Sequence, residues 1–275
     1  MELGIKQGRL RNSIASVQEE FPSEFWKEEF FDARILGLTK IEWLVGYEDE
    51  ITNPLLFEDN LDEIWTIQKK TGVSVESATL DYLVYAPIHK QSIKSGKQST
   101  WDIFECLLSG LSKAGIKIVV MPIVQESGPE DHTTLNRLIE SLPRINDLAL
   151  KVQTSIALEC ELPLREISTI VKSARELSNV GFNFDTGNSA AIGNDSEAEL
   201  NLYGEKLINV HFKDRRYLGS SVPLGLGDVD FRYIIERLRS SGYSGNAILE
   251  CARSKTGKDF NQVRSYMQYL KRVGW

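Results

Sequence analysis

Short apolar or β-branched runs alternate with longer amphipathic stretches along the chain, and the alternation repeats eight times. The runs predict strands over Leu3–Gly8, Lys40–Leu44, Val73–Thr79, Ile116–Pro122, Ser155–Cys160, Gly181–Asp185, Ile208–Lys213 and Ala247–Cys251. Helices are expected between them, and three mark their own ends: Asp62–Lys70 before Gly72, Trp101–Ala114 before Gly115, and Arg165–Leu177 after Pro163. A strand arriving within a few residues of each helix is how right-handed βαβ units read. Eight units in 275 residues predict an α/β fold, a single parallel (β/α)8 TIM barrel forming one catalytic domain over 1–275. No GxGxxG follows the first strand, which argues against a dinucleotide-binding sheet. The loosest stretches, Gly46–Asn60, Tyr85–Ser99 and Tyr217–Gly227, are expected in βα loops on the C-terminal face, where barrel active sites form.

Composition narrows the partners. With 41% hydrophobic and 26% charged residues the chain has enough apolar mass for a core, and disorder is excluded. Thirty-nine acids against 32 bases give a net charge of −7, so nucleic acid would bind against the overall field and is not expected. No run of roughly 18 apolar residues occurs and the first residues lack a secretory pattern, so no membrane partner is expected and the location is read as cytoplasmic. Three cysteines without CxxC spacing suggest neither a disulfide framework nor a thiolate metal site. Cys160 and Cys251 each follow a glutamate, and strand alternation turns their thiols toward the helix layer as buried structural groups.

Four expected strands of the second half end in polar residues that packing does not explain: Glu159, Asp185, His211 and Glu250. Glu159 and Asp185 are 26 residues apart, as are Asp185 and His211, which places them at equivalent heights. Three carboxylates and an imidazole converging on a barrel mouth repel one another unless a cation lies between them. One divalent metal ion resolves this, with Mn²⁺ the preferred reading and Mg²⁺, Zn²⁺ or Co²⁺ the alternatives. Each acid taken alone is equally well read as the partner of a Lys or Arg; the set of four is not.

The motifs Lys6-Gln-Gly-Arg-Leu10, Ile41-Glu-Trp43, Leu158-Glu-Cys160, Asp185-Thr-Gly-Asn188, Val210-His-Phe-Lys-Asp-Arg215 and Pro223-Leu-Gly-Leu-Gly-Asp-Val-Asp-Phe231 occur in this order. Together they resemble the xylose isomerase-like barrels, and within them the sugar-phosphate isomerases and epimerases. The resemblance implies that Glu159, Asp185, His211 and Glu250 bind one divalent metal, and that Glu159 and Glu250 double as the catalytic acid and base. At Asn188 the chain departs from many similar 3-epimerases, which carry a histidine that helps hold substrate.

The chemistry so implied is proton removal next to a ketose carbonyl, with a sugar or sugar phosphate as the small-molecule partner. Bases on opposite faces of one carbon epimerise it, whereas one base serving two carbons isomerises. For a phosphate, the expected contacts are Lys213, Arg215 and Arg216, with the amides of Gly225 and Gly227. Against this stands a solvated basic run in which Asp214 pairs with an arginine and Asp228 caps a helix beginning near Val229. Lys6, Gln7 and Arg9 are alternative phosphate or hydroxyl contacts. Glu42 and Trp43 end the second strand as candidate substrate contacts, where Trp43 is read either as a wall against a sugar face or as core. His89 and His132 are read as surface or loop-packing residues rather than second-site ligands, and the Phe25, Trp26, Phe30 and Phe31 group as core or as an interface with a second copy in a homo-oligomer.

Three rival functions share the pattern. A metal-dependent dehydratase of a keto-polyol would begin with the same proton abstraction. A phosphodiester-cleaving endonuclease of similar fold needs more than the three histidines present. A non-catalytic sugar-binding barrel would have no need of both candidate bases.

Overall fold

The computed structural model describes residues 1–11, 21–47, 53–90 and 99–275. All eight apolar runs are strands, first to eighth: Glu2–Lys6, Lys40–Val45, Ser74–Leu80, Ile118–Ile123, Ser155–Cys160, Val180–Asp185, Leu207–Phe212 and Asn246–Leu249. Each pairs in parallel with its neighbours and the eighth returns to the first, closing the barrel. The first strand stops short of Gly8 because that amide is taken by the Glu29 carboxylate at 2.9 Å. Of the expected helices, Leu61–Thr71 and Thr100–Lys113 form nearly as read. The third, Leu164–Ala174, ends before Leu177, whose amide folds back onto the Ala174 carbonyl as a turn. All three loose stretches lie after strand ends, although 48–52 and 91–98 fall outside the described residues.

Register carries the spacing argument into space. Asp185 of the sixth strand lies directly beside His211 of the seventh, and Glu159 of the fifth is beside Asn183. At the opposite end Lys40 plugs the barrel, reaching Glu2 and Glu76 at 2.8 Å and the Asn246 amide oxygen at 2.7 Å. That ties three strands to the second.

Trp43 turns outward from the barrel into the helix layer. It is fully buried, stacks on Phe21 at 5.4 Å, meets Trp26 and Phe30 with its edges, and donates its indole N–H to Asn53 at 2.8 Å. The expectation that it walls a sugar therefore gives way to core packing, and Trp26 and Phe30 join the same core. Trp43→Ala is expected to cost about 3–5 kcal/mol, because it leaves a large cavity and removes one of the two donors to the Asn53 side-chain oxygen. Urea unfolding followed by far-UV dichroism checks this; a loss below about 1 kcal/mol would mean the aromatic cluster closes over the gap.

Two local expectations change. A short antiparallel ribbon, Asp214–Arg215 with Ser221–Val222, follows the seventh strand. The helix after it is Phe231–Ser240, capped by Asp230 on the Tyr233 amide, while Asp228 instead accepts the Tyr217 amide at 2.7 Å. Among the described residues no helix is long and apolar enough to cross a membrane.

Candidate active site

Glu159, Asp185, His211 and Glu250 are all buried, and one ligand atom from each lies within 4.8 Å of the others. Asp185 caps the short helix Thr186–Ala191: its Oδ1 accepts the amides of Gly187 and Asn188 at 2.8 and 2.9 Å, which turns Oδ2 into the cluster. Gly187 is needed there, since a Cβ would sit 2.7 Å from Lys213 Cγ. Glu159 is fixed by two amide donors, Asn183 on Oε2 and Asn188 on Oε1, both at 2.8 Å.

His211 Nδ1 lies 3.0 Å from Glu159 Oε2 and 2.7 Å from Glu250 Oε2. These approaches are close but not aligned as hydrogen bonds, and Nδ1, Glu250 Oε2 and Asp185 Oδ2 remain buried without a hydrogen-bond partner. Donor atoms that converge on a common point without bonding one another are what a cation site requires.

The other face of the imidazole rests on Glu42. Nε2 is 2.8 Å from Glu42 Oε1, and Glu42 also accepts the Thr79 hydroxyl at 2.6 Å and the Asn209 amide at 3.1 Å. Asn209 in turn donates to Asn183, so a polar layer inside the barrel links Glu42 to the amide that holds Glu159. Glu42 was read as a substrate contact; fully buried beneath His211, it instead orients the ring and leaves Nδ1 facing the cluster.

Electrostatics favour added positive charge. Five buried carboxylates, those of Glu42, Asp81, Glu159, Asp185 and Glu250, face Lys6, Arg9 and Lys213, which leaves two negative charges when His211 is neutral. Burial pushes Asp185 up to about 7, with Lys213 opposing and Glu159 adding to the rise. Burial also opposes charge on His211, but Glu42 and Glu159 outweigh it and hold the imidazole well above its ordinary range. For Glu250 burial is overcome by Lys213 and Lys6, which keep its carboxyl well below the usual range. A divalent cation that displaced the imidazole proton and bound the neutral ring would cancel the two charges then left.

Glu159 and Glu250 of the cluster line a cavity of about 930 Å³ that Lys6, Arg9, Asn188, Lys213 and Arg215 also line. Lys6 and Lys213 are engaged in ion pairs there: Lys6 with Asp81 at 3.0 Å and Glu250 at 3.4 Å, Lys213 with Glu250 at 3.0 Å and Asp185 at 3.4 Å. Arg215 bonds Glu161 at 3.0 Å and the Asn188 side-chain oxygen at 2.9 Å, so Asn188 bridges Arg215 to Glu159.

Arg216, Gly225 and Gly227 do not line the cavity. Arg216 is exposed and bonds the Leu226 carbonyl. The amides of Gly225 and Gly227 are taken by Asp214, at 2.7 and 2.9 Å, so they do not form the expected phosphate cradle. Asp214 pairs with these amides rather than with an arginine, and only glycine fits at 227, where a Cβ would fall 2.0 Å from its Oδ1. His89 is buried outside the cluster, and burial lowers its pKa to about 4. Cys160 and Cys251 are buried free thiols, the latter pushed up to about 12 by burial.

Several site residues have no sequence signal. Asp81 lies one residue past the third strand, and nothing local distinguishes it from a solvated loop acid. Glu29 sits on the first helix, Trp26–Leu36, fully buried, and its carboxylate accepts the amides of Gly8 at 2.9 Å and Leu10 at 3.0 Å. It thereby pins the loop that carries Arg9. Burial pushes Glu29 up to about 7 against those hydrogen bonds.

Residues 30–273 match the family model of the xylose isomerase-like TIM barrel. Over 247 residues the chain is 29% identical to the L-ribulose-5-phosphate 3-epimerase UlaE of Escherichia coli, covering 86% of this chain and 85% of that one. A D-psicose 3-epimerase structure superposes with a TM-score of 0.73 at 18% identity, over 99% of both chains. The IolI protein with a bound zinc atom superposes with a TM-score of 0.76 at 17% identity, over 99% of this chain and 98% of the other.

Proposed function

The chain belongs to the xylose isomerase-like TIM-barrel family, and from that premise we propose that it is a metal-dependent epimerase or isomerase of a ketose or ketose phosphate. The observation that carries this reading is that Glu159 and Glu250, from opposite sides of the cluster, approach the same atom of His211 and line one cavity. The UlaE relative, by name a 3-epimerase of a ketopentose phosphate, supports the substrate class. Residues 1–275 act in this reading as one catalytic unit.

The donor set fits a divalent ion held by Glu159, Asp185, His211 and Glu250: three carboxylates, an imidazole nitrogen aimed inward, and unpartnered oxygens. Such an ion, when bound, supplies positive charge to the oxyanion that develops as the proton leaves. The remaining work is done by side chains. Lys213 and Lys6 keep Glu250 ionised, which suits it to take the proton from the carbon beside the carbonyl. The C–H electron pair moves into the enediolate, and a proton delivered through Glu159 on the opposite face inverts that carbon. Catalysis in the reverse direction exchanges the two roles. Asn183 and Asn188 hold Glu159 at the angle this requires.

The test is a panel of ketoses and ketose phosphates incubated in D₂O. Deuterium is expected at the carbon next to the carbonyl, with the phosphorylated member of each pair reacting faster. Absence of exchange with every ketose would overturn the reading, and loss of water from the substrate would make the protein a dehydratase.

A further inference from the structure

We propose that the loop after the eighth strand, Arg253-Ser254-Lys255-Thr256, binds the phosphate monoester of the substrate, an assignment that rests on the ketose-phosphate reading above. The cations nearest the reacting centre are poorly placed for this. Lys6, Lys213 and Arg215 are committed to carboxylates at 3.0 Å, and a phosphate that recruited them would leave buried acids uncompensated. The glycine amides after the seventh strand are occupied by Asp214.

The loop wall offers what these groups lack. All four of its residues line the cavity that Glu250 also lines, and Ser254, Lys255 and Thr256 together bring an ammonium and two hydroxyls. The two hydroxyls are 3.1 Å apart, and Thr256 donates its amide to Ser254 Oγ, which gathers the donors into one turn. Buried Asp259, at the start of the last helix, accepts the Ser254 amide and anchors the turn. Two residues separate Glu250 from Arg253, a span of at most roughly 10 Å, so the wall is within reach of a phosphate at the far end of a five- or six-carbon chain. Lys255 and Thr256 are exposed, so changing them tests binding rather than folding.

Inorganic phosphate is titrated calorimetrically into the metal-loaded protein and into Lys255→Glu, Thr256→Val and, as a charge-matched control, Lys172→Glu on an exposed helix face. Phosphate is expected to bind the parent protein and Lys172→Glu alike, and Lys255→Glu about tenfold or more weaker, with a smaller loss in Thr256→Val. The KM for a ketose phosphate should rise by a similar factor in Lys255→Glu. Equal phosphate affinity in Lys255→Glu and the parent, or no phosphate binding at all, would overturn the assignment. The two readings fail separately. Phosphate binding lost in Lys255→Glu without turnover of any ketose phosphate removes the proposed activity and keeps the anion site. Turnover of ketose phosphates with KM unchanged in Lys255→Glu does the reverse.

Discussion

Glu250→Gln and Glu159→Gln are each expected to lower kcat by a factor on the order of 10²–10⁴ while leaving the barrel folded. The amide preserves the shape of each side chain but cannot accept the proton or carry it. At position 250 it also removes the negative charge between Lys6 and Lys213, which sit 3.4 and 3.0 Å away. At position 159 the donors Asn183 and Asn188 would face an amide that can accept through its oxygen only, so one of their hydrogen bonds is lost. Far-UV dichroism near that of the parent protein, with turnover measured at saturating substrate and metal, separates chemistry from folding. Near-parent kcat in either variant would remove that residue from proton transfer, whatever it contributes to cation binding.

Chelation is expected to abolish turnover, and one equivalent of a divalent ion to restore it. The basis is the excess of buried carboxylates over lysine and arginine cations at the cluster and the unpartnered inward atoms of Asp185, His211 and Glu250. Metal analysis after reconstitution and activity in excess EDTA read the two halves. Full activity in EDTA, or far less than one bound equivalent, would count decisively against the ion. Glu42→Gln supplies an independent arm. It touches none of the cavity, yet it weakens the close charged contact at Nε2 that orients His211, and is expected to lower metal affinity by about 10–100-fold. A titration in which Glu42→Gln matches the parent would show that the ring holds its orientation without that carboxylate.

The barrel was legible because its signals are local: a strand is an apolar run and a helix ends at its own glycine. The four strand-end residues were legible for the same reason, since each breaks the pattern of its own strand at a height that the repeat fixes. Contacts between distant segments were not. Glu42 stands where a cavity contact might be expected, but its role depends on His211, which arrives from the far side of the barrel with Asn209. Gly225 and Gly227 look like an anion cradle in sequence, and they are one; the anion is Asp214 of the same chain. Trp43 was ambiguous because strand alternation depends on register, and the irregular pairing between Lys40 and Glu42 shifts the second strand locally. Asp81, Glu161 and Glu29 carry no motif, because an ion pair or hydrogen bond between distant segments is a property of two positions rather than of one.

Glu29 has a consequence for how the site opens and closes. By accepting the amides of Gly8 and Leu10 it binds the first loop to the first helix through a buried carboxylate, independently of any ligand. Those two amides should be among the slowest in any loop to exchange with solvent hydrogen, their protection set by sub-global unfolding rather than by loop fluctuation. Arg9 lies within this anchored stretch and Lys6 just before it, so their ordering entropy is lost when the chain folds and is not charged again when substrate arrives. The segment Gly8–Leu10 is thus a preorganised jaw, and conformational adjustment on binding falls to segments without such a tether.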